Sequence, residues 1–385
     1  GLICALVQIL LDKTRLMPGR VMVLLVCTGS VLSALHLYEP LVDYAGAGAS
    51  VPLIGFGHLL FQGVKEEMEQ VGRLRTIEEW TKTAEDMMKA GTLFVLLTGG
   101  EPLLYPHFRE LYQKLRELGM IITINTNGTL IDEAWADFFA ENKPRRINIP
   151  LYGASNETYE RLCHYPGGFD KAVNGIRLLR ERNIDVKVNG SLAKANVDDR
   201  MKIIELGESL DAPVRIDTYM YPSVRERNHA YNNQARLDPK MAAKARVEVL
   251  RREMGEEVFA QYRKIRLDEA ENTPEGEEVP GQMACRAGKS SFVVNWQGEM
   301  RSCVVLDKPS IPLRDVDFEE AWELTKKGTE SLRISARCSS CKLRKVCNTC
   351  VAAAIAETGK ADGVPEYLCR YTEATVRYLK ETMEE

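Results

Sequence analysis

From about residue 65 onward, apolar and polar positions alternate between a helical and an extended rhythm. Ile77, Trp80, Ala84, Met87 and Met88 recur at helical spacing behind Thr76-Ile-Glu-Glu79, a capping-box pattern, and Gly91 closes the segment. The apolar run at 93–97 then predicts a buried strand. The alternation continues as helix 107–118, strand 121–125, helix 132–141 opened by Asp132, strand 146–151, helix 169–182, strand 185–191, helix 197–209 and strand 213–219. Strands separated by helices at this spacing need right-handed crossovers. They build a parallel sheet covered by helices, either doubly wound or rolled into a full or partial barrel. In all of these, ligands sit at the carboxyl ends of the strands.

The residues at those ends are polar or small. Thr98, Gly99, Gly100, Glu101 and Pro102 follow the strand at 93–97, where glycines let backbone groups approach a small ligand. Asn125, Asn127 and Gly128 hold the next tip, Tyr152 the one after, and Asn189 and Ser191 a fourth. Any single Gly-Gly or Asn-Gly pair is an ordinary turn. Four such tips on one rim point to a ligand site.

Beyond Pro222 the alternation stops. A helix is expected over 238–264, then an acidic, Pro/Gly-bearing linker at 268–282. Cys285 precedes SFVVNWQGEMRSC, two alternating runs around Gln297-Gly298 that read as a hairpin delivering Cys303, with a helix near 317–328 to follow. Before residue 65 the text is irregular. Val21–Tyr38 is an uncharged run of 18 residues that formally meets a minimal membrane-span template, diluted by Gly29, Ser30, Ser33 and His36, so that a buried strand or ill-formed sequence is preferred. Residues 45–57 are Gly-rich without period, and the chain opens on Gly, as a fragment would. The resulting division is an anomalous segment 1–64, an α/β core 65–224, a helical bridge and linker 225–283, and a cysteine-rich domain 284–385.

Composition narrows the function. The 385 residues are 45% hydrophobic with a formal net charge of -4 and no long basic block, so nucleic acid is set aside as a partner. Seven of the ten cysteines follow residue 284, while Cys4, Cys27 and Cys163 are scattered. Disulfides would suit a small secreted domain rather than one joined to an α/β core. Zinc commonly takes two CxxC pairs in a closed tetrahedral site. Iron–sulfur clusters take four thiolates each, with one position open to another ligand. Spacing alone does not separate the metals.

TGGEP after one strand, TNG on the next and the Cys285-x12-Gly298-x4-Cys303, Cys338-x2-Cys341-x5-Cys347, Cys350, Cys369 arrangement together resemble a radical S-adenosylmethionine (radical SAM) protein with a C-terminal SPASM domain. The resemblance covers about residues 65–222 and 284–372. It implies an α/β fold, a partial (β/α)6 TIM-like barrel with a C-terminal cysteine-rich SPASM domain. It also implies that Gly99, Gly100, Glu101 and Pro102 help hold the methionine end of S-adenosylmethionine, with Asn127 and Ser191 on the cofactor rim. Cys285, Cys303 and Cys350 would bind a first auxiliary [4Fe–4S] cluster, its fourth ligand unidentified, and Cys338, Cys341, Cys347 and Cys369 a second. Cys350 departs from the common spacing, following Cys347 after two residues rather than three.

A larger departure lies upstream. Such enzymes hold the radical-generating cluster with three cysteines, normally CxxxCxxC after the first strand, and that loop should fall between about residues 38 and 65, where this sequence has no cysteine. Either radical chemistry has been lost, or residues 20–64 are not the authentic segment, through a frameshift, a faulty join or an artefact. The coincidence of irregular text with the missing motif favours the second. As written, the chain is expected to load two clusters and not the third. Family membership implies a peptide or protein substrate, an electron donor such as flavodoxin or ferredoxin, and a reducing cytoplasm; membrane association is not expected. The competing expectations are a zinc-stabilised binding module and a catalytically silent iron–sulfur scaffold. Tyr152, Asp217, Tyr219 and Tyr221 are further cavity-facing candidates.

Overall fold

Five parallel strands carry the fold: β1 (Phe94–Leu97), β2 (Ile121–Asn125), β3 (Arg146–Pro150), β4 (Val186–Ser191) and β5 (Val214–Asp217), hydrogen-bonded in the order 1-2-3-4-5. The computed structural model describes residues 75–222, 235–274, 285–347 and 349–382, together with Thr28, Leu32 and Ser33. The chain divides into the units Gly1–Leu74 and Arg75–Glu385, and every element below belongs to the second. The expected cluster loop at 38–65 lies outside the described residues, as does the run Val21–Tyr38 apart from those three positions.

Helices connect the strands: α1 (Ile77–Lys89) precedes β1, and α2 (Phe108–Glu117), α3 (Glu133–Glu141), α4 (Asn156–Cys163) with α5 (Gly168–Glu181), and α6 (Arg200–Ser209) fill the crossovers. Their starts follow the sequence signals. Thr76 and Glu79 form the reciprocal capping box, and the Asp132 carboxylate accepts from the Trp135 N–H. The sheet's β2–β5 inner positions, Ile124, Ile147, Ile149, Val188 and Ile216, are fully or almost fully buried against these helices. Phe108, Tyr112, Trp135, Phe138 and Phe139 interlock edge-to-face where α2 meets α3.

One strand departs from expectation. The run at 93–97 was predicted as buried, yet Phe94 and Leu96 are 64% and 50% exposed. Among the described strands β1 is the sheet's edge, paired only with β2. Periodicity reports that a strand is apolar; what covers it depends on a neighbour.

Past β5 comes α7 (Pro239–Asn272), longer than the predicted 238–264 and bent at Gly255, whose φ is 71°. The acidic text at 268–272 is its last turn rather than linker, because charged residues suit a solvated helix face as well as a loop. The hairpin is present: β6 (Val293–Val294) and β7 (Glu299–Arg301) pair antiparallel across Gln297-Gly298, and β8 (Ser310–Pro312) completes a small sheet. Then follow α8 (Phe318–Glu330), the short α9 (Ala336–Ser339), α10 (Val351–Thr358) and α11 (Glu366–Glu381). Helix α11 lies along α7, burying Leu379 with Val247, Leu250 and Phe259.

Candidate functional site

At the carboxyl ends of β1 and β2 the loops are tied by one side chain. The Glu101 carboxylate accepts from the Leu103 N–H at 3.1 Å, the Thr126 hydroxyl at 2.7 Å and the Asn127 N–H at 2.7 Å. Asn127 in turn accepts from the Thr129 N–H and hydroxyl, closing the Asn-Gly turn. Glu101 thus reaches the tip of the neighbouring strand, and Asn127 is drawn to it. The two glycines before Glu101 are different: among the described residues a Cβ placed on Gly99 or Gly100 would meet nothing within 4 Å, and Gly99 has a φ of 154°. Among the described residues their bareness serves no packing, whereas a Cβ on Gly128 would meet Ile149 at 2.9 Å and one on Gly190 would meet Ile216 at 2.4 Å. Pro102 starts the short 3₁₀ turn that follows. Open space over a bare backbone at a strand tip fits a small ligand's polar end.

Farther along the rim, Ser191 is exposed at the end of β4. Its carbonyl and that of Tyr152 both accept from the buried Asn196 side-chain amide at 3.0 Å. Asn196, missed in the sequence, fastens the tips of β3 and β4 as Glu101 fastens those of β1 and β2. Its only signal was an Asn after a strand end.

The cysteines separate into two groups. Cys338, Cys341, Cys347 and Cys369 line one partly open cavity of about 90 Å³, whose wall includes Leu343, Leu368, Arg337, Arg344 and Glu373. Burial pushes the Cys338 thiol up, with Cys347 and Cys341 adding to the shift, and pushes Cys369 up to about 11, with Glu366, Cys338 and Cys347 adding. Cys350 is raised by burial and then by Cys303 and Cys285, against N–H groups of Ala353 and Ala352 that favour its thiolate. Cys338 and Cys369 are thus shifted by members of one group and Cys350 by members of the other. Tyr221, beyond the end of β5, faces the second group: burial, with Cys350, Cys303 and Cys285 adding, raises its hydroxyl to about 12.

Backbone amides also point at the sulfurs. The Ala287 N–H donates to Cys285, Val305 to Cys303 and Leu343 to Cys341, at 3.4 to 3.5 Å. Thiols crowded in partly buried pockets resist ionising together, and amide donors plus a cationic core are what would hold them as thiolates. The eight described cysteines, Cys163 included, are free of disulfides. Among the described residues no three His, Cys, Asp or Glu side chains are grouped for a single metal ion.

Between the rim and the cysteines lies a buried ion pair that the sequence did not reveal. Arg236 donates to Glu357 through two nitrogens, at 2.5 and 3.1 Å, and both residues are about nine-tenths buried as side chains, with relative exposures of 8% and 10%. The Tyr219 hydroxyl donates to the same carboxylate at 2.7 Å, and the Arg236 guanidinium stacks 3.4 Å over the Tyr367 ring. Asp217, by contrast, pairs with Arg215 at the surface.

Residues 57–207 match the family model described as the Radical SAM superfamily, and residues 1–100 match that of the SpoVAC/SpoVAEB sporulation membrane protein. Among curated proteins, the chain is 24% identical to the AdoMet-dependent heme synthase of Methanosarcina barkeri (strain Fusaro / DSM 804), covering 77% of this chain and 88% of that protein. It is 26% identical to the PqqA peptide cyclase of Rhodopseudomonas palustris (strain ATCC BAA-98 / CGA009), covering 46% of each. Among solved structures, native anSMEcpe with bound AdoMet superposes with a TM-score of 0.59 at 20% identity, covering 81% of this chain and 90% of that one. That last likeness is one of fold.

Proposed function

We propose, on the premise that the chain carries a radical SAM domain over residues 57–207, that it is a SPASM-type protein whose seven C-terminal cysteines hold two [4Fe–4S] clusters and whose radical-generating cluster has no ligands in the present sequence. The observation that carries this reading is the grouping in space: Cys338, Cys341, Cys347 and Cys369 around one cavity, and Cys303 and Cys350 packed against the apolar cluster of Ala287, whose N–H donates to Cys285. A single zinc ion draws four thiolates to about 2.3 Å. A cavity of about 90 Å³ among four thiols suits an inorganic core better.

The bare Gly99-Gly100 tip would take the methionine end of S-adenosylmethionine, with Glu101 holding that tip against Asn127, and Pro102 and Ser191 completing the rim. In an intact relative the cofactor pair supplies a 5'-deoxyadenosyl radical that abstracts a hydrogen from substrate. What this chain's residues do is hold and orient. The missing trio coincides with text that matches a sporulation membrane protein over residues 1–100, which supports a faulty join over an evolved loss. A CxxxCxxC in a neighbouring reading frame across residues 20–64 would establish the join.

The substrate reading is a peptide or protein, as the PqqA peptide cyclase name suggests, with a flavodoxin- or ferredoxin-type electron donor. A tetrapyrrole is the second reading, favoured by the longer alignment with the heme synthase. Oxygen-sensitive clusters would favour a reducing cytoplasm; separately, no described helix is long and apolar enough to cross a membrane. Anaerobic reconstitution with iron and sulfide counting tests the reading. About eight irons per chain and no release of 5'-deoxyadenosine are expected. About twelve, or cofactor cleavage, would overturn the missing-ligand claim, and colourless zinc protein would overturn the clusters.

A further inference from the structure

The face of the sheet turned away from its helices is polar. Burial alternates along the strands: Ile122 and Ile124 in β2, Ile147 and Ile149 in β3, and Val186 and Val188 in β4 are buried, while the residues between them are half-buried. Parallel strands are ordinarily apolar on both faces, because helices cover both. Here the second face carries Asn125, Asn148 and Lys187 side by side, in register across β2, β3 and β4. Lysine is disfavoured in strands, and β4 is a central one, paired on both sides.

Along the described strands Arg146, Lys187 and Arg215 put cations on this face, and two of them are matched. Arg146 is bonded to Asp185 at 2.8 Å and Arg215 to Asp217 at 3.0 Å. Among the described residues the Lys187 ammonium has no hydrogen-bond or ion-pair partner. A half-buried charge without a counter-charge loses solvation and gains nothing in return from the fold. Departures of this kind from the local pattern are retained at functional sites. Beside Lys187 the Asn148 side-chain amide donates to the Asn125 side-chain oxygen at 2.7 Å, which orients both amides and leaves the Asn125 amide hydrogens unbonded among the described residues. Strands lie about 4.8 Å apart, so a carboxylate resting over Asn148 is within reach of the Lys187 ammonium on one side and the Asn125 amide on the other. The row also has a suitable height. Asn125 stands two residues, roughly 7 Å, before Asn127, whose N–H is held by Glu101 beside the Gly99-Gly100 tip.

We propose that Lys187, with the Asn125 and Asn148 amides beside it, is a subsite that binds a carboxylate of the substrate and directs the rest of the substrate toward the Gly99-Gly100 rim. The inference rests on the reading of that rim as the cofactor tip given above. Lysine supplies the charge and the paired amides supply the direction. Two substrate sources carry the group: an acidic side chain of a peptide and a propionate of a tetrapyrrole.

The test uses the full chain as wild type, Lys187→Met, Lys187→Arg and Asn148→Leu. Dissociation constants are measured by titration calorimetry for coproporphyrin III, for a peptide with a single glutamate and its glutamine counterpart, and for S-adenosylmethionine. The expected result is that one carboxylate probe binds, that Lys187→Met weakens it about ten- to a hundredfold, and that Lys187→Arg recovers most of the loss. Asn148→Leu weakens the same probe less. Response of coproporphyrin III identifies the tetrapyrrole source, and preference for the glutamate peptide over its glutamine counterpart identifies the peptide source. Lys187→Met melts no lower than wild type, since its ammonium has no partner among the described residues to lose. Binding of neither carboxylate probe, equal affinity in wild type and Lys187→Met, or a loss confined to S-adenosylmethionine overturns the proposal. A clearly lower melting temperature in Lys187→Met assigns the ammonium to the fold and overturns it too. Iron per chain is counted on the same samples after anaerobic reconstitution, so a failure of the cluster reading shows there and leaves the Lys187 comparison readable.

Discussion

Glu101 accepts three hydrogen bonds that join two strand tips, so replacing it acts on both. In Glu101→Gln one oxygen can keep Leu103 and Thr126, but the new amide faces the Asn127 N–H donor to donor. A loss of about 1–3 kcal/mol is expected in chemical denaturation, with faster hydrogen exchange at Asn127, and unchanged exchange there would contradict the tie. Asp199 gives a pH test. Burial pushes its carboxyl up, but the Ala154 N–H, the Thr158 hydroxyl, Lys202 and Arg161 outweigh that and leave it below the usual carboxylate range. A lowered native value contributes stability above the unfolded pKa of about 3.9, and that contribution is lost as pH falls through the native value. The margin of wild type over Asp199→Asn in urea should therefore be wide at pH 7 and narrow on acidification; equal margins would refute the assignment. The placement of Gly99, Gly100 and Asn127 in turns at strand ends was legible in the sequence because turn chemistry is local. Asn196 and the Arg236–Glu357 pair were not, since partners 121 residues apart leave no local trace.

Strand and helix identities from Thr76 to Asp217 were readable because each element buries one face and so writes a period into the chain. Exposure of β1 was not, for its run FVLL reads the same whether or not a neighbour covers it. Helices α10 and α11 went unread among the closely spaced cysteines, although α11 buries Leu368, Tyr371 and Leu379 along one face. These differences predict opposite outcomes for similar substitutions. Phe94→Lys and Leu96→Lys, at 64% and 50% exposure, should change stability by no more than about 0.5 kcal/mol and raise solubility by charging an apolar edge. Ile149→Ala, fully buried in β3, should cost about 2–5 kcal/mol in the same denaturation assay. A large loss from the β1 variants would show that the edge is covered after all.

At the scale of the molecule, a parallel-sheet core and a cysteine-rich region are joined through Arg236, Glu357 and the rim tyrosines, while residues 1–100 match the model of a sporulation membrane protein, overlapping the radical SAM match at 57–207. The partition of seven thiols into four and three was stated in the sequence only through a resemblance, because spacing lists cysteines without saying which face one another. In the structure Cys338, Cys341, Cys347 and Cys369 line one cavity, while Cys303 and Cys350 pack against a separate apolar cluster that includes Ala287. The most direct measurement is iron per chain after anaerobic reconstitution of wild type, Cys338→Ser/Cys341→Ser and Cys303→Ser/Cys350→Ser. About eight irons falling to about four in each double variant, with the remaining signal different in the two, is the predicted result. Loss of all iron from either variant, or no change in both, would contradict two independent cages.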